Sequence, residues 1–147
     1  MRILVATVQT PFVRGGAEAL VAGLVAALRA AGNEAEATAL PFKWYPPERI
    51  LDAMLAARLL DVSEVAGARV DLVVGVRFPA YLVPHANKVL WLAHQHRPAY
   101  DLWDEPLGDL HNYASGARVR DAVRHADRAL IPEARRVFTI SRNVSAR

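Results

Sequence analysis

The first 31 residues restrict the fold of this chain more than any other part of it. Residues 3–7 form an apolar run without polar alternation, which is typical of a strand buried on both faces of a parallel sheet. After a loop that contains Pro11, Gly15 and Gly16 precede residues 17–31, whose Ala, Val and Leu predict a long, deeply packed helix. This order of strand, glycine turn and helix places free backbone N–H groups at a helix start, where they favour an anion.

The glycine pair has two interpretations. Residues without side chains let a phosphate or a sugar approach the backbone, but such glycines can also serve only to let the chain turn and pack. The sequence contains no Gly-x-Gly-x-x-Gly fingerprint, no Gly-Lys-Ser/Thr of a P-loop and no Gly-x-Ser-x-Gly elbow. These absences argue against the common dinucleotide, P-loop and acyl-transfer designs, and both interpretations stay open.

The remaining chain alternates strands and helices. Periodicity predicts strands at residues 33–40, 70–74, 88–93 and 137–140 and helices at residues 47–65 and 115–129. Gly32 stands where a C′ glycine would end the first helix. Five buried strands alternating with helices predict an α/β, Rossmann-like, doubly wound parallel sheet with right-handed crossovers. We expect the strand order 3-2-1-4-5, with ligands at the carboxyl ends of the strands near the switch between strands 1 and 4.

The composition indicates one folded domain. The chain has 147 residues, of which 53% are hydrophobic and 22% charged. Its 18 basic and 15 acidic residues leave a formal charge of +3, which suits a phosphate-bearing ligand or an acidic membrane surface as well as nucleic acid. No cysteine is present, the chain enters a strand at once, and its most apolar stretch is too short to span a bilayer. We therefore expect a cytoplasmic protein, with contact to the inner face of the membrane left open.

Residues 94–113 form a long irregular segment, and such segments in compact domains are usually functional. His94 directly follows a buried strand and so faces the ligand crevice, where it can hydrogen-bond a hydroxyl or a phosphate; alternatively, it caps loose backbone groups. His94 and His96 are expected on one face and could hold a metal with Asp101, Asp104 or His111. No second ligand pair has helical spacing, so we expect no metal.

Other candidate contacts are charged or aromatic loop residues. Four arginines could reach the carboxyl edge of the sheet, namely Arg14, Arg77, Arg97 and Arg142. Two of them together would grip a phosphate, although each alone could be a solvated loop residue. Ser141 is a credible helix N-cap. Phe42, Trp44 and Tyr45 could contact an acceptor or a membrane, or could belong to the core or to a domain interface.

Several of these segments together resemble one known family. Gly15-Gly16-Ala17-Glu18, the apolar helix and residues 31–35 are similar to the N-terminal half of GT-B glycosyltransferases, in particular family 4 (glycosyl transferases group 1). Those proteins open with a strand, a Gly-Gly-x-Glu loop and a helix that ends in a Gly-His/Asn-x-Val pattern. Residues 71–74, 88–91, 94 and 138–141 fall where the family leads one to expect them, so the resemblance covers essentially all 147 residues.

The resemblance implies a hexosyltransferase that moves a sugar from a UDP- or GDP-sugar to a carbohydrate or lipid-linked acceptor with retention of configuration. Residues 1–147 would be the acceptor-side domain. The C-terminal donor-binding domain would be a missing partner, and the 147 residues alone would be inactive. His94 would be the catalytic contact to the donor sugar, and the donor diphosphate and sugar would lie near Arg14, Gly15, Gly16 and Glu18.

The remaining expectations concern the acceptor and the alternatives. Arg77, Arg97, Ser141 and Arg142 are expected to contact the acceptor or a phosphate. Besides the nucleotide-sugar co-substrate, no cofactor, metal or nucleic acid is expected. A non-catalytic phosphate- or nucleotide-binding Rossmann-like module and an interaction domain that has lost its chemistry are the alternatives, because a fold alone does not establish a function.

Overall fold

A five-stranded parallel sheet organises the protein, whose computed structural model describes residues 1–146. In chain order the elements are β1 (Arg2–Gln9), α1 (Gly16–Ala30), β2 (Glu34–Pro41), α2 (Glu48–Leu59), β3 (Glu64–Val65), β4 (Ala68–Arg69), β5 (Leu72–Gly75), β6 (Lys88–Leu92), α3 (Gly116–Leu130), β7 (Arg136–Thr139) and α4 (Arg142–Ser145). β3 and β4 form a separate antiparallel hairpin. The α/β, Rossmann-like class expected from the sequence is confirmed.

The order of the strands differs from the expected one. The sheet reads β2-β1-β5-β6-β7, so its third strand, β5, pairs with β1 instead of lying outside β2, and the order 3-2-1-4-5 is wrong. β5 is apolar and largely buried, which favours the interior of the sheet, whereas β2 alternates polar residues with alanine and tolerates an edge. The switch in winding direction therefore lies between β1 and β5, and the loops after these two strands meet there.

Helices cover both faces of the sheet. On one face, α1 packs on β1 and β2, and its Val21 and Val25 belong to the buried cluster there. On the other face, α2 and α3 contribute Ile50 and Val119 to a larger cluster that also holds Tyr81. α1 buries only one stripe and exposes most of its alanines, so the expectation of a deeply packed helix is wrong. The start of α1 is consequently accessible from solvent.

Two local predictions have different outcomes. Gly32 has a positive φ of 80°, as expected of a C′ glycine. α2 ends at Leu59, so the helix predicted to reach residue 65 is too long. The Asp61 carboxylate accepts hydrogen bonds from the backbone N–H and the hydroxyl of Ser63, at 2.9 and 2.6 Å, and this turn replaces further helix. The β3–β4 hairpin that follows is absent from the sequence-based prediction.

The strand β7 lies at the other edge of the sheet. Val137 and Phe138 are about half exposed, so the expectation that all five strands are buried is wrong for this one. β7 pairs with only one strand, β6, and its other side has no strand neighbour. In the part of the chain that the structure describes, every helix is too short or too polar to cross a bilayer.

Candidate functional site

The start of α1 lies beyond the carboxyl end of β1 and carries the predicted glycine pair. Gly15 is the N-cap with an extended backbone that any residue can adopt, and a Cβ on Gly15 or Gly16 would meet no atom closer than 3.7 Å. The fold itself therefore requires neither glycine for turning or packing. Within residues 1–146, the N–H groups of Gly16 and Ala17 have no hydrogen-bond partner. The glycine pair leaves these two donors open to the surroundings.

Glu18 joins the start of α1 to the loop after β5. Its carboxylate accepts a hydrogen bond from the Gly15 N–H at 2.8 Å and pairs with the Arg77 guanidinium at 2.9 Å. Arg77 also donates to the Val8 carbonyl at 3.2 Å. Burial raises the pKa of the Glu18 carboxyl, but the N–H groups of Gly15 and Glu18 and the charge of Arg77 outweigh it, so the net pKa lies below the ordinary value. Arg77 thus neutralises Glu18 at the switch between β1 and β5.

A cavity of about 270 Å³ opens between α1 and the carboxyl halves of β1 and β2. Thr7 and Gln9 of β1 line it, together with Arg14 and Glu18 from the start of α1. Of the predicted donor-site residues, Arg14 and Glu18 line this cavity, and Arg14 is the exposed positive charge beside it.

His94 follows β6, the strand next to β5, and its side chain is exposed. Nδ1 lies 2.6 Å from the Gln95 carbonyl oxygen, and because a carbonyl can only accept, Nδ1 carries a proton. This bond satisfies a backbone group, as the capping interpretation expects. It also leaves Nε2 of the neutral ring as an acceptor, with no partner in the described chain. His94 can therefore accept a hydrogen bond from a ligand hydroxyl.

Three buried side-chain atoms have no hydrogen-bond partner among residues 1–146: Thr7 Oγ1, Gln95 Oε1 and His96 Nε2. All three side chains belong to the carboxyl edge, because Thr7 lies near the end of β1 and the other two follow β6. Native proteins satisfy most buried polar atoms, since an unpaired one costs about 1–3 kcal/mol. The three atoms do not line one cavity: Thr7 borders the cavity beside α1, whereas Gln95 borders another one beside Asp127 and Val137.

His96, rather than His94, is the buried histidine. Its ring lies on Phe78 at a centroid distance of 5.0 Å and meets Phe42 edge-on at 6.1 Å, so the loops after β2, β5 and β6 converge. Burial lowers the pKa of His96 to about 4, although the Asp109 carboxylate opposes the shift, and the ring is neutral at pH 7. The expectation that both histidines share one face is wrong, because β6 ends before them and strand alternation no longer applies.

The other predicted contact residues make their bonds elsewhere. Arg97 pairs with Asp101 at 3.0 Å within its own turn. Ser141 accepts a hydrogen bond from the Val144 N–H at 3.3 Å, which confirms it as the N-cap of α4. Arg142 is the exposed first residue of α4 and forms no ion pair with residues 1–146. None of these residues contacts the group at the start of α1.

Sequence reasoning missed Thr7 and Gln95 as site residues. The signal for Thr7 was a single hydroxyl inside an otherwise apolar strand, whereas Gln95 had no signal beyond its place between two histidines. The edge as a whole offers N–H donors and an arginine for an anion, and Nε2 of His94 as an acceptor for a hydroxyl group. No cluster of three or more His, Asp or Glu side chains in residues 1–146 could hold a metal ion. This arrangement suits an anionic, hydroxyl-rich ligand.

Comparisons of the chain with models of known protein families, with curated proteins and with solved structures found no match.

Proposed function

We propose that this domain is the acceptor-side half of a retaining glycosyltransferase, which moves a sugar from a nucleotide-sugar donor to an acceptor hydroxyl. The observation that carries the proposal is the open start of α1, where the N–H groups of Gly16 and Ala17 have no partner in residues 1–146 and Arg14 is exposed. A nucleotide sugar supplies anionic oxygens for the free N–H groups and hydroxyls for Nε2 of His94. A donor-binding domain would complete the cleft from the other side.

The diphosphate of the donor fits the start of α1. The free N–H groups of Gly16 and Ala17 and the positive end of the helix dipole attract its oxygens. Arg14 adds a full charge, and Glu18 does not repel the ligand because Arg77 neutralises it. When the bond between sugar and diphosphate breaks, its electron pair leaves on a phosphate oxygen. Positive groups at that position therefore stabilise the transition state.

The sugar of the donor would lie towards His94. Because the bond to the Gln95 carbonyl fixes the proton on Nδ1, Nε2 can accept a hydrogen bond from a sugar hydroxyl. The buried and neutral His96 packs against Phe78 and contributes an apolar wall at this edge. An apolar wall with a few fixed polar atoms is typical of small-molecule sites.

Binding of UDP-glucose and GDP-mannose to the 147-residue chain, followed through backbone amide NMR signals, tests the proposal. We expect shifts at Gly16 and Ala17. Gly16→Leu should abolish them, since its side chain would stand over the open N–H groups. The matched control is Gly23→Leu, which adds the same side chain at another exposed position of α1 where a Cβ meets no atom within 4 Å. Equal loss in both variants, or shifts that avoid the start of α1, would contradict the proposal.

The second candidate is a non-catalytic phosphate- or nucleotide-binding module, which the open N–H groups of Gly16 and Ala17 also favour. The two candidates differ at His94. In a transferase, His94→Ala should weaken binding of UDP-glucose about fivefold through the lost hydrogen bond and leave binding of UDP unchanged. A phosphate-binding module would bind UDP and UDP-glucose alike, with or without His94.

A further inference from the structure

Two neighbouring loops at the carboxyl edge present large apolar side chains to solvent. Phe12 and Val13 lie between β1 and α1, and Trp44 and Tyr45 lie between β2 and α2. A backbone hydrogen bond of 2.9 Å joins the two chain segments where they leave the sheet, and residues of both loops line one groove of about 330 Å³. These four side chains form the apolar loop patch.

Phe12 is held in a backbone conformation that suits glycine. The Val13 N–H donates to the Thr10 carbonyl at 3.1 Å and closes a turn with Pro11 at its second position and Phe12 at its third. A proline followed by a residue of positive φ is the pattern of a type II turn, which favours glycine at the third position. Phe12 has a φ of 67° and is fully exposed, so no packing offsets the strain. A bulky apolar group kept at such a strained tip points to a contact outside the chain.

The rest of the patch is ordered and flanked by positive charge. Trp44 meets Tyr45 edge to face at 5.4 Å, and the Lys43 ammonium lies 4.9 Å from the centre of the Tyr45 ring. Arg14 follows Val13 directly. Neither Arg14 nor Lys43 forms an ion pair with the described residues. The patch thus combines projecting apolar groups with two uncompensated cations.

We propose that the apolar loop patch docks on an anionic lipid surface. Trp and Tyr are enriched at membrane–water interfaces, where one part of the side chain is apolar and the other is wet. Apolar side chains that project from loop tips can enter the boundary between headgroups and acyl chains, while the neighbouring cations meet anionic headgroups. Docking in this way does not depend on the proposed transferase function.

Co-sedimentation of the 147-residue chain with vesicles tests the proposal. The chain should pellet with phosphatidylcholine vesicles that contain phosphatidylglycerol, and less with phosphatidylcholine alone. Phe12→Gly should weaken the binding about tenfold, because one large apolar side chain no longer enters the lipid. The same substitution should raise the melting temperature, because glycine relieves the strained turn. Opposite effects on binding and on stability separate a docking residue from a merely structural one.

Two further variants complete the test. Leu107→Gly also removes a large exposed side chain, in a different segment, and should bind vesicles as the wild type does. Replacing Arg14 and Lys43 by glutamine together should remove the preference for phosphatidylglycerol. Equal losses in Phe12→Gly and Leu107→Gly, or no binding to either vesicle, would overturn the proposal. So would a wild-type dimer without lipid that Phe12→Gly converts to a monomer, since the patch would then be an interface between copies.

Discussion

At the amino end of the sheet, Lys88 is almost completely buried at the start of β6, yet its ammonium group has the partners that it needs. Nζ donates to the carbonyls of Tyr81 and Val83, at 3.4 and 3.1 Å, and lies 3.5 Å from the Glu133 carboxylate. At the carboxyl end of the same sheet, His96 is also buried, but its Nε2 has no hydrogen-bond partner among residues 1–146. The two ends therefore differ in whether their buried polar groups are satisfied by the chain.

Two histidines show the same contrast with the residue type held constant. His85, near the amino end, has Nε2 at 3.2 Å from the Val70 carbonyl and accepts the Asn87 N–H on Nδ1 at 3.1 Å. The ring of His96 lies between aromatic side chains and has no such partners. The polar groups around His85 and Lys88 are therefore satisfied within the chain, whereas Nε2 of His96 is left without a partner in residues 1–146.

The largest expected change in the free energy of unfolding follows from removing the hydrogen-bonded ammonium group of Lys88. Lys88→Met keeps most of the side-chain volume but deprives the Tyr81 and Val83 carbonyls of their donor in a buried place. We expect the free energy of unfolding to fall by about 4 kcal/mol. Urea unfolding measures the change.

Arg49→Met is the matched control for Lys88→Met. It removes an exposed cation whose pair with Asp52, at 2.9 Å, is open to solvent. This control should lower the free energy of unfolding by only about 0.3 kcal/mol. A Lys88 variant as stable as the Arg49 variant would show that the amino-end network does not hold the fold.

The second effect is a dependence of stability on pH that arises at the carboxyl end. The pKa of His96 is about 4 in the folded protein and about 6.5 in the unfolded chain. Between these values only the unfolded chain binds the proton, so the stability is complete above pH 6.5 and falls as the pH drops towards 4. The loss amounts to at most about 3 kcal/mol.

Urea unfolding of the wild type and of His96→Phe between pH 4 and 7 measures how much His96 contributes to the pH dependence of the free energy of unfolding. The difference between the two proteins is the useful quantity, because burial raises the pKa of Asp127 and gives an opposite slope in both. We expect the wild type to lose more stability than the variant as the pH falls. Parallel curves would mean that His96 is hydrated in solution and is not the buried, unpaired group described above.

Local signals in the sequence explain which parts of the fold were predictable. The strand and helix around Gly15, the C′ glycine Gly32 and the N-cap Ser141 each depend on a few neighbouring residues, and all three agree with the structure. The strand order depends on which strands are buried on both faces across distant parts of the chain. The uninterrupted apolar run of β5 indicates that this strand is buried. It does not indicate that β5 pairs with β1.

The candidate site was less predictable than the fold for the same reason. Which of His94 and His96 turns inward is decided by loops that follow β2 and β5, far away in the sequence. The positive φ of Phe12 has no local signal either, since phenylalanine rarely takes that conformation. Unsatisfied atoms become visible only once the partners of every buried group can be counted.

The smallest expected change in the free energy of unfolding compares histidines at the two ends of the sheet at pH 7. His96→Phe removes an unpaired nitrogen and keeps a ring among Phe42 and Phe78, so the free energy of unfolding should rise by about 1 kcal/mol. His85→Phe should lower it by a similar amount, because the Val70 and Asn87 backbone groups lose their partner. Urea unfolding at pH 7 measures both variants. A loss of stability in His96→Phe equal to that in His85→Phe would mean that His96 is satisfied in solution, and the carboxyl end would then no longer differ from the amino end.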